Sequence, residues 1–333
     1  MKKTSYCIVL FLVICNIISA NQKTNQQENQ SSSSNSAKHN CLNEEQRSQM
    51  KQAILSRTLC DAPQFSLSIL WFSPHIKTEN FVRQEKNIYK ITSNFLYPGF
   101  RIDFKNRFNK EYVANIEYSW LYSWQNLYVY GYDLKGLIGF KPPSNFDGIA
   151  SANLTSLYES LYFTFFSKNY NYGSWSIERF YSLEVDYIRA TKCYDYFDLN
   201  DYHNTYKSRT WAFGPEFGFK VNKSLSLPCF FSSDFSNLYL KLSASFLIAG
   251  KELTIFNIGP ITSDNDVYAN LSAISAFHGR IGIDHSEKLF NTLWFFGAGY
   301  EINYFPSALM SITADNDDSY FNQGLYLKAS FLF

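Results

Sequence analysis

Ten charged side chains stand out by their setting: Glu117, Glu178, Glu184, Asp186, Glu216, Lys220, Lys241, Arg280, Glu301 and Lys328, most of them flanked on both sides by apolar or aromatic neighbours. In an extended chain a spacing of two puts such charges on one face and the apolar groups on the other. Mixed-sign groups lining a water-filled lumen set a transverse field and an ion preference. In a filled interior the same groups pair as a polar core. The residue pattern is compatible with both.

Other chemistry is sparse. The chain has 5 histidines, too scattered for a metal cluster. His278 and His285 flank Asp284 near an expected turn and are read as solvated lumen or turn residues. There is no phosphate-cradling glycine loop, no Gly-x-Gly-x-x-Gly, no Gly-x-Ser-x-Gly elbow and no Ser/His pair in neighbouring strands. No catalytic residue, metal or cofactor is therefore expected, and no enzyme. The acidic runs Asp195, Asp198 and Asp201, Asp264 and Asp266, and Asp315, Asp317 and Asp318 could hold Ca²⁺, but they are expected at solvated loop tips.

Cys41, Cys60, Cys193 and Cys229 show no metal-ligand spacing. Cys41 and Cys60 bracket an expected helix, which would hold them roughly 28 Å apart at about 1.5 Å per residue, too far to pair with each other. Oxidised, they would pair elsewhere in the chain or cross-link and self-associate with another molecule. The alternative is a set of free thiols.

The elements that must carry these residues follow from composition and period. Aromatics make up 19% of the 333 residues, yet net charge is +1 and mean hydropathy is −0.24. A nucleic-acid partner is not indicated. Beyond the first twenty residues no apolar run approaches the roughly 18 residues of a membrane-spanning helix. Met1-Lys2-Lys3, the apolar stretch from Tyr6 to Ile18 and the exit Ser19-Ala20 have the layout of a signal peptide over 1–20. Residues 21–40, rich in Ser, Asn and Gln, are expected to form a disordered tether. Over 41–60, Met50, Ala53, Ile54 and Leu59 recur at helical spacing, which predicts a short amphipathic periplasmic helix.

From residue 61 the period switches to two. Tyr112, Ala114, Ile116, Tyr118, Trp120, Tyr122 and Trp124 share one face, and Trp211, Phe213, Pro215, Phe217 and Phe219 share another. Strands are expected near 65–76, 95–104, 111–124, 155–167, 176–192, 210–221, 224–232, 237–249, 252–258, 270–283, 290–304 and 324–333. Runs of about 10 to 15 residues exceed the usual 5–6 of soluble strands and suffice to cross a bilayer, which takes about 9 to 11 tilted residues. The predicted fold is therefore an all-β, transmembrane, antiparallel up-and-down barrel over 61–333, of about twelve strands within a range of 10–16. An even count puts both ends on the periplasmic side. Connectors 77–94, 125–154, 193–209, 259–269 and 305–323 then fall outside, with 105–110, 222–223, 250–251 and 284–289 inside. The last strand carries Leu325, Leu327, Ala329, Phe331 and Phe333 on one face. Leu327, Phe331 and the terminal Phe333 resemble the signal read by the barrel-insertion machinery of bacterial outer membranes.

Two segments carry a resemblance. Arg209-Thr210-Trp211-Ala212-Phe213-Gly214-Pro215-Glu216-Phe217-Gly218-Phe219 looks like a recurrent strand of the pore-forming, major-outer-membrane-protein-like family of legionellae and chlamydia-related bacteria. Pro98-Gly99-Phe100-Arg101-Ile102-Asp103 is similar to another segment of that family. The resemblance covers roughly 61–333; Lys328 and Leu332 depart from the glycine-rich acidic ending common in the family. It implies a porin in contact with outer-membrane lipid and no catalytic residues. The expected function is passive diffusion of small hydrophilic solutes or ions past the ten charges. The alternative is a closed structural or adhesive surface barrel whose outer loops bind a partner, and connector 125–154 could serve either.

Overall fold

The computed structural model describes residues 63–92, 95–107, 113–166, 170–198, 200–225, 235–289, 292–311 and 317–332. The signal peptide, tether and helix expected over 1–60, with Cys41 and Cys60, lie outside the described residues, as do Cys229, Asp315 and Phe333. The described chain forms strands β1 (Gln64–Ile76), β2 (Asn80–Gln84), β3 (Asn87–Lys90), β4 (Tyr97–Arg107), β5 (Val113–Gly136), β6 (Phe146–Phe166) and β7 (Tyr170–Tyr172). It continues with β8 (Trp175–Phe197), β9 (Asp201–Leu225), β10 (Phe235–Ile258), β11 (Ser263–Leu289), β12 (Thr292–Leu309) and β13 (Asp318–Leu332).

Ten of these close into a ring in the order β1-β4-β5-β6-β8-β9-β10-β11-β12-β13, every neighbour antiparallel. The seam is β13 against β1, where Gln64 pairs with Leu332 and Ile76 with Tyr320. Closure leaves no edge along the paired zone, the condition for a sheet in hydrocarbon. β2 and β3 form a hairpin attached to the end of β5, and β7 is a short flap on β8.

Ten strands close the barrel, at the lower bound of the expected range, because the expected breaks 222–223 and 250–251 are continuous ladder; of the expected strand 224–232 only 224–225, the end of β9, lies among the described residues. Gly250-Lys251 reads as a turn, yet Gly250 pairs with Trp211 and Leu271 inside one strand, β10, which unites the expected strands 237–249 and 252–258. The alternation survives there, with Gly250 outward and Lys251 buried. The expected connector 284–289 is also strand, since β11 pairs through Leu289. Connector 125–154 shrinks to 137–145, and 193–209 to 198–200. Both had masked the same thing: six strands, β5, β6 and β8 to β11, run 21 to 27 residues, longer than one bilayer crossing needs. The acidic runs move with them. Asp195 and Asp264 stand in paired strands, and Asp318 is 3% exposed inside the ring.

Burial is inverted relative to a soluble protein. Outward positions such as Leu67, Ile69, Phe213, Phe217, Phe246, Ile281, Leu325 and Leu327 are exposed, while Ser66, Ser119, Ser160, Glu184, Ser245 and Ser330 are buried. The first set forms an outward apolar band. The second set is small or charged because a ten-stranded ring leaves little room inside. On β9 the outward apolar run from Trp211 to Phe219 covers about 27 Å along the strand, or about 20 Å of height after tilt. That is close to the hydrophobic band of a transmembrane barrel. Phe331 packs against Phe65 and Trp294 at the end of the ring that holds both termini.

Candidate functional site

All ten charges singled out in the sequence stand at inward positions of their strands. At mid-height four long side chains meet across the bore. Arg101 on β4 donates from Nη1 and Nη2 to Glu301 on β12, both at 2.7 Å. Arg280 on β11 donates from Nη2 to Glu117 on β5 at 2.7 Å and from Nε to Glu301 at 2.7 Å. Arg101 Nε also lies 3.0 Å from Glu117 and donates to Ser119. β5 and β11 are opposite each other in the ring, so the Arg280–Glu117 bridge spans its width. Bidentate guanidinium–carboxylate geometry in a desolvated setting is the strong form of this interaction.

A second group packs beside the quartet. His278 Nε2 lies 2.9 Å from Glu184 Oε1, which also accepts from Tyr162 at 2.9 Å. His278 Nδ1 meets Asn303 at 2.9 Å, and Asn303 in turn donates to Glu301 at 3.0 Å. His278, read above as a solvated lumen or turn residue, is therefore central, and β11 continues past it to Leu289. Ser245 donates to Glu184, Ser243 donates to Glu216 at 2.5 Å, and Asp186 is buried beside them. Lys241 stands over the Phe180 ring at 4.5 Å and Lys220 over Tyr239 at 4.8 Å. Glu178 faces Lys220 in register, and Lys328 lies 3.8 Å from Asp103. The cavity among Glu117, Tyr162, Glu216, Lys241, His278 and Arg280 measures about 20 Å³, and two others about 10 Å³ each. Such volumes hold about one water.

Above the quartet, toward the end away from the termini, the bore is filled again. Phe72, Phe81, Val82, Ile91, Leu134, Tyr194, Tyr196, Phe305 and Leu309 form a buried cluster. Phe81 and Val82 come from β2, so the β2–β3 hairpin closes this end. Tyr196 fastens it, donating to Phe81 O at 2.7 Å and accepting from the Ile138 amide at 3.1 Å. Burial pushes that phenol up to about 12, which keeps it a donor at every physiological pH. Lys192 bridges Glu79 at 3.2 Å and Asp318 at 3.4 Å, and Lys251 reaches Asp317 at 2.5 Å.

Sequence reasoning missed Arg101, Lys192, Lys251 and Glu79. Arg101 and Asp103 alternate with Phe100, Ile102 and Phe104, the same signal that marked the others. Lys192 lay at the end of the expected strand 176–192 and was not singled out, and Lys251 was lost to the expected turn 250–251. On the outward face, Asp195 meets His203 Nδ1, and Thr205 Oγ1 lies 3.0 Å from His203 Nε2. The chain has the order of a nucleophilic relay. It lies on the outward side of the ladder, where the backbone amides of β8 and β9 are engaged in strand pairing. Cys193, beside Thr205 on that face, is a free thiol. Leu327 is exposed to the outward band. Among the described residues no group of three or more His, Cys, Asp or Glu is arranged to hold a metal ion.

No family model and no curated protein matches this chain. Solved structures similar to it are barrels. The outer membrane protease OmpT of Escherichia coli has a TM-score of 0.46 at 7% identity, covering 82% of this chain and 96% of that one. The translocator domain of the autotransporter NalP of Neisseria meningitidis has a TM-score of 0.37 at 8% identity, covering 86% and 96%. The toluene transporter TodX of Pseudomonas putida has a TM-score of 0.25 at 9% identity, covering 81% and 89%. At such scores and identities none of them lends this chain an activity.

Proposed function

We propose that the chain is a bacterial outer-membrane barrel whose bore is closed by its own side chains and whose work is done on the surface it presents outside the cell. One observation carries this reading: the Arg101–Glu117–Arg280–Glu301 quartet crosses the full width of the bore, with about one water's room beside it. Both barrel termini then face the periplasm, and the six long strands rise above the outer leaflet. Leu327 and Phe331 are offered to the insertion machinery on the lipid side. The outward faces of the raised strands, including Tyr128, Tyr130 and Tyr132 at 56%, 67% and 79% exposure, are the contact surface for a partner.

Passive diffusion of solutes or ions, the function expected from the pore-forming resemblance, would require the quartet to part. Conductance decides between the two. Purified protein in planar bilayers should give no stepwise current, and liposomes containing it should not swell in small sugars. Regular steps in the native protein would restore the porin reading.

A further inference from the structure

The outward face of β8, β9 and β10 changes character abruptly at one height. Tyr187 and Trp211 are cross-strand partners with ring centroids 4.3 Å apart, and Trp211 is 55% exposed. Below them the face is Val185, Phe213, Pro215, Leu183 and Phe217, which lipid tails solvate. One step above, Arg189 pairs directly with Arg209, and one step further Lys207 pairs with Thr191. Like charges placed directly opposite in a ladder repel, and Lys207 feels both arginines as neighbouring positive charges. Two carboxylates offset them in part. Glu252 lies 3.3 Å from Arg209 Nη1, and Glu159 lies in the field of Arg189. The Nε–H of Arg209 still has no hydrogen-bond partner. Beside Trp211, across the ladder, stands Gly250, and a side chain built on it would meet nothing within 4 Å. The face therefore has a notch under Arg209, open to the membrane.

Tyrosine and tryptophan mark the hydrocarbon–headgroup boundary of membrane barrels. Groups one or two steps above them stand at the level of headgroup phosphates, where a guanidinium binds a phosphate bidentately. We propose that Arg189, Lys207 and Arg209 bind a phosphate of an outer-leaflet lipid headgroup, with one of that lipid's acyl chains lying in the notch at Gly250. The site rests on the membrane reading given above. It gives the repelling cations the counter-charge the protein only partly supplies, and the notch selects a phosphate that carries hydrocarbon over a free one.

The test uses the full-length barrel refolded in detergent and incubated with a bisphosphorylated glycolipid of the lipid A type, with phosphatidylcholine as the comparison. Retained lipid is counted by mass spectrometry after gel filtration. The native protein should retain the glycolipid in preference to phosphatidylcholine. The triple variant Arg189→Gln, Lys207→Gln, Arg209→Gln should retain at least tenfold less, with its heat-modifiable gel mobility unchanged. Glu252→Gln, which frees Arg209, should retain more than the native protein. Equal retention by the triple variant overturns the proposal, and so does a loss in Glu252→Gln. An equal loss in a Lys90→Gln, Lys135→Gln control, which removes exposed cations elsewhere, also overturns it. Displacement by equimolar inorganic phosphate would make this a free-anion site instead of a lipid site. Failure of the native protein to insert into phosphatidylcholine vesicles would sink the membrane reading itself, a result distinct from insertion without lipid preference.

Discussion

Glu301→Ala is expected to lower the free energy of unfolding of the barrel by about 3–5 kcal/mol, the usual cost of removing one partner from a buried ion pair. Glu301 is 4% exposed and receives four charged or polar donors' worth of contact from Arg101, Arg280 and Asn303. Without it the two guanidinium groups lose their shared anion and are left with Glu117 alone. Urea titration of the folded fraction, read by gel mobility without boiling, gives the number. A loss below about 1 kcal/mol would mean that the quartet is solvated and that the bore is wetter than the geometry implies. Replacing all four quartet residues with apolar side chains of similar volume should, by contrast, be neutral or stabilising by about 1–4 kcal/mol, because no charge is then stranded. That pair of results would separate what the charges contribute from what the plug contributes.

Gly324→Val is expected to abolish the assembled barrel. Gly324 pairs with Phe72 across the seam, and a Cβ there would run into the Trp71 carbonyl oxygen and sit 2.7 Å from the Phe72 Cα. Both obstacles are backbone, so no side-chain rotation relieves them. The two strands must move apart, and the hydrogen bonds that join β13 to β1 are lost on both sides of the contact. In hydrocarbon each unpaired amide costs several kcal/mol. The compact, fast-migrating band of the unboiled protein should be absent in this variant and present in Gly250→Ala, where the space is open. A folded band in Gly324→Val would contradict the close approach at the seam.

The period-two pattern was enough to find the barrel and to orient its side chains. All ten charges expected inside are inside, because alternation alone decides which face a strand residue joins. What alternation cannot supply is which strand stands opposite which. The partnership of Arg280 with Glu117 needs the count of strands between β5 and β11, and the expected count was off. It was off for two local reasons: Asn222-Lys223 and Gly250-Lys251 were read as turns, and both are continuous ladder in which pairing with the neighbouring strand keeps the chain extended. Within connector 125–154 the stretch Leu127–Phe140 could be read as a further strand; Tyr128, Tyr130 and Tyr132 instead continue β5 through Gly136. His278 was read as a solvated lumen or turn residue because the strand's end was set at 283, whereas β11 runs on to Leu289. Closure of the bore had no signal in the sequence, since charges that line water and charges that pair are the same residues until their partners are known.

The seam has a kinetic consequence. Every other neighbouring pair in the ring is joined by a local connection, and the chain can zip those hairpins in succession. β1 meets β13 only when Gln64 finds Leu332. Closing a loop of that length costs about 3 kcal/mol more than closing a hairpin of about ten residues. This contact should therefore form last and set the folding rate. Until it does, the sheet has two raw edges, and the time spent in that state is the interval in which one unfinished molecule can pair with another.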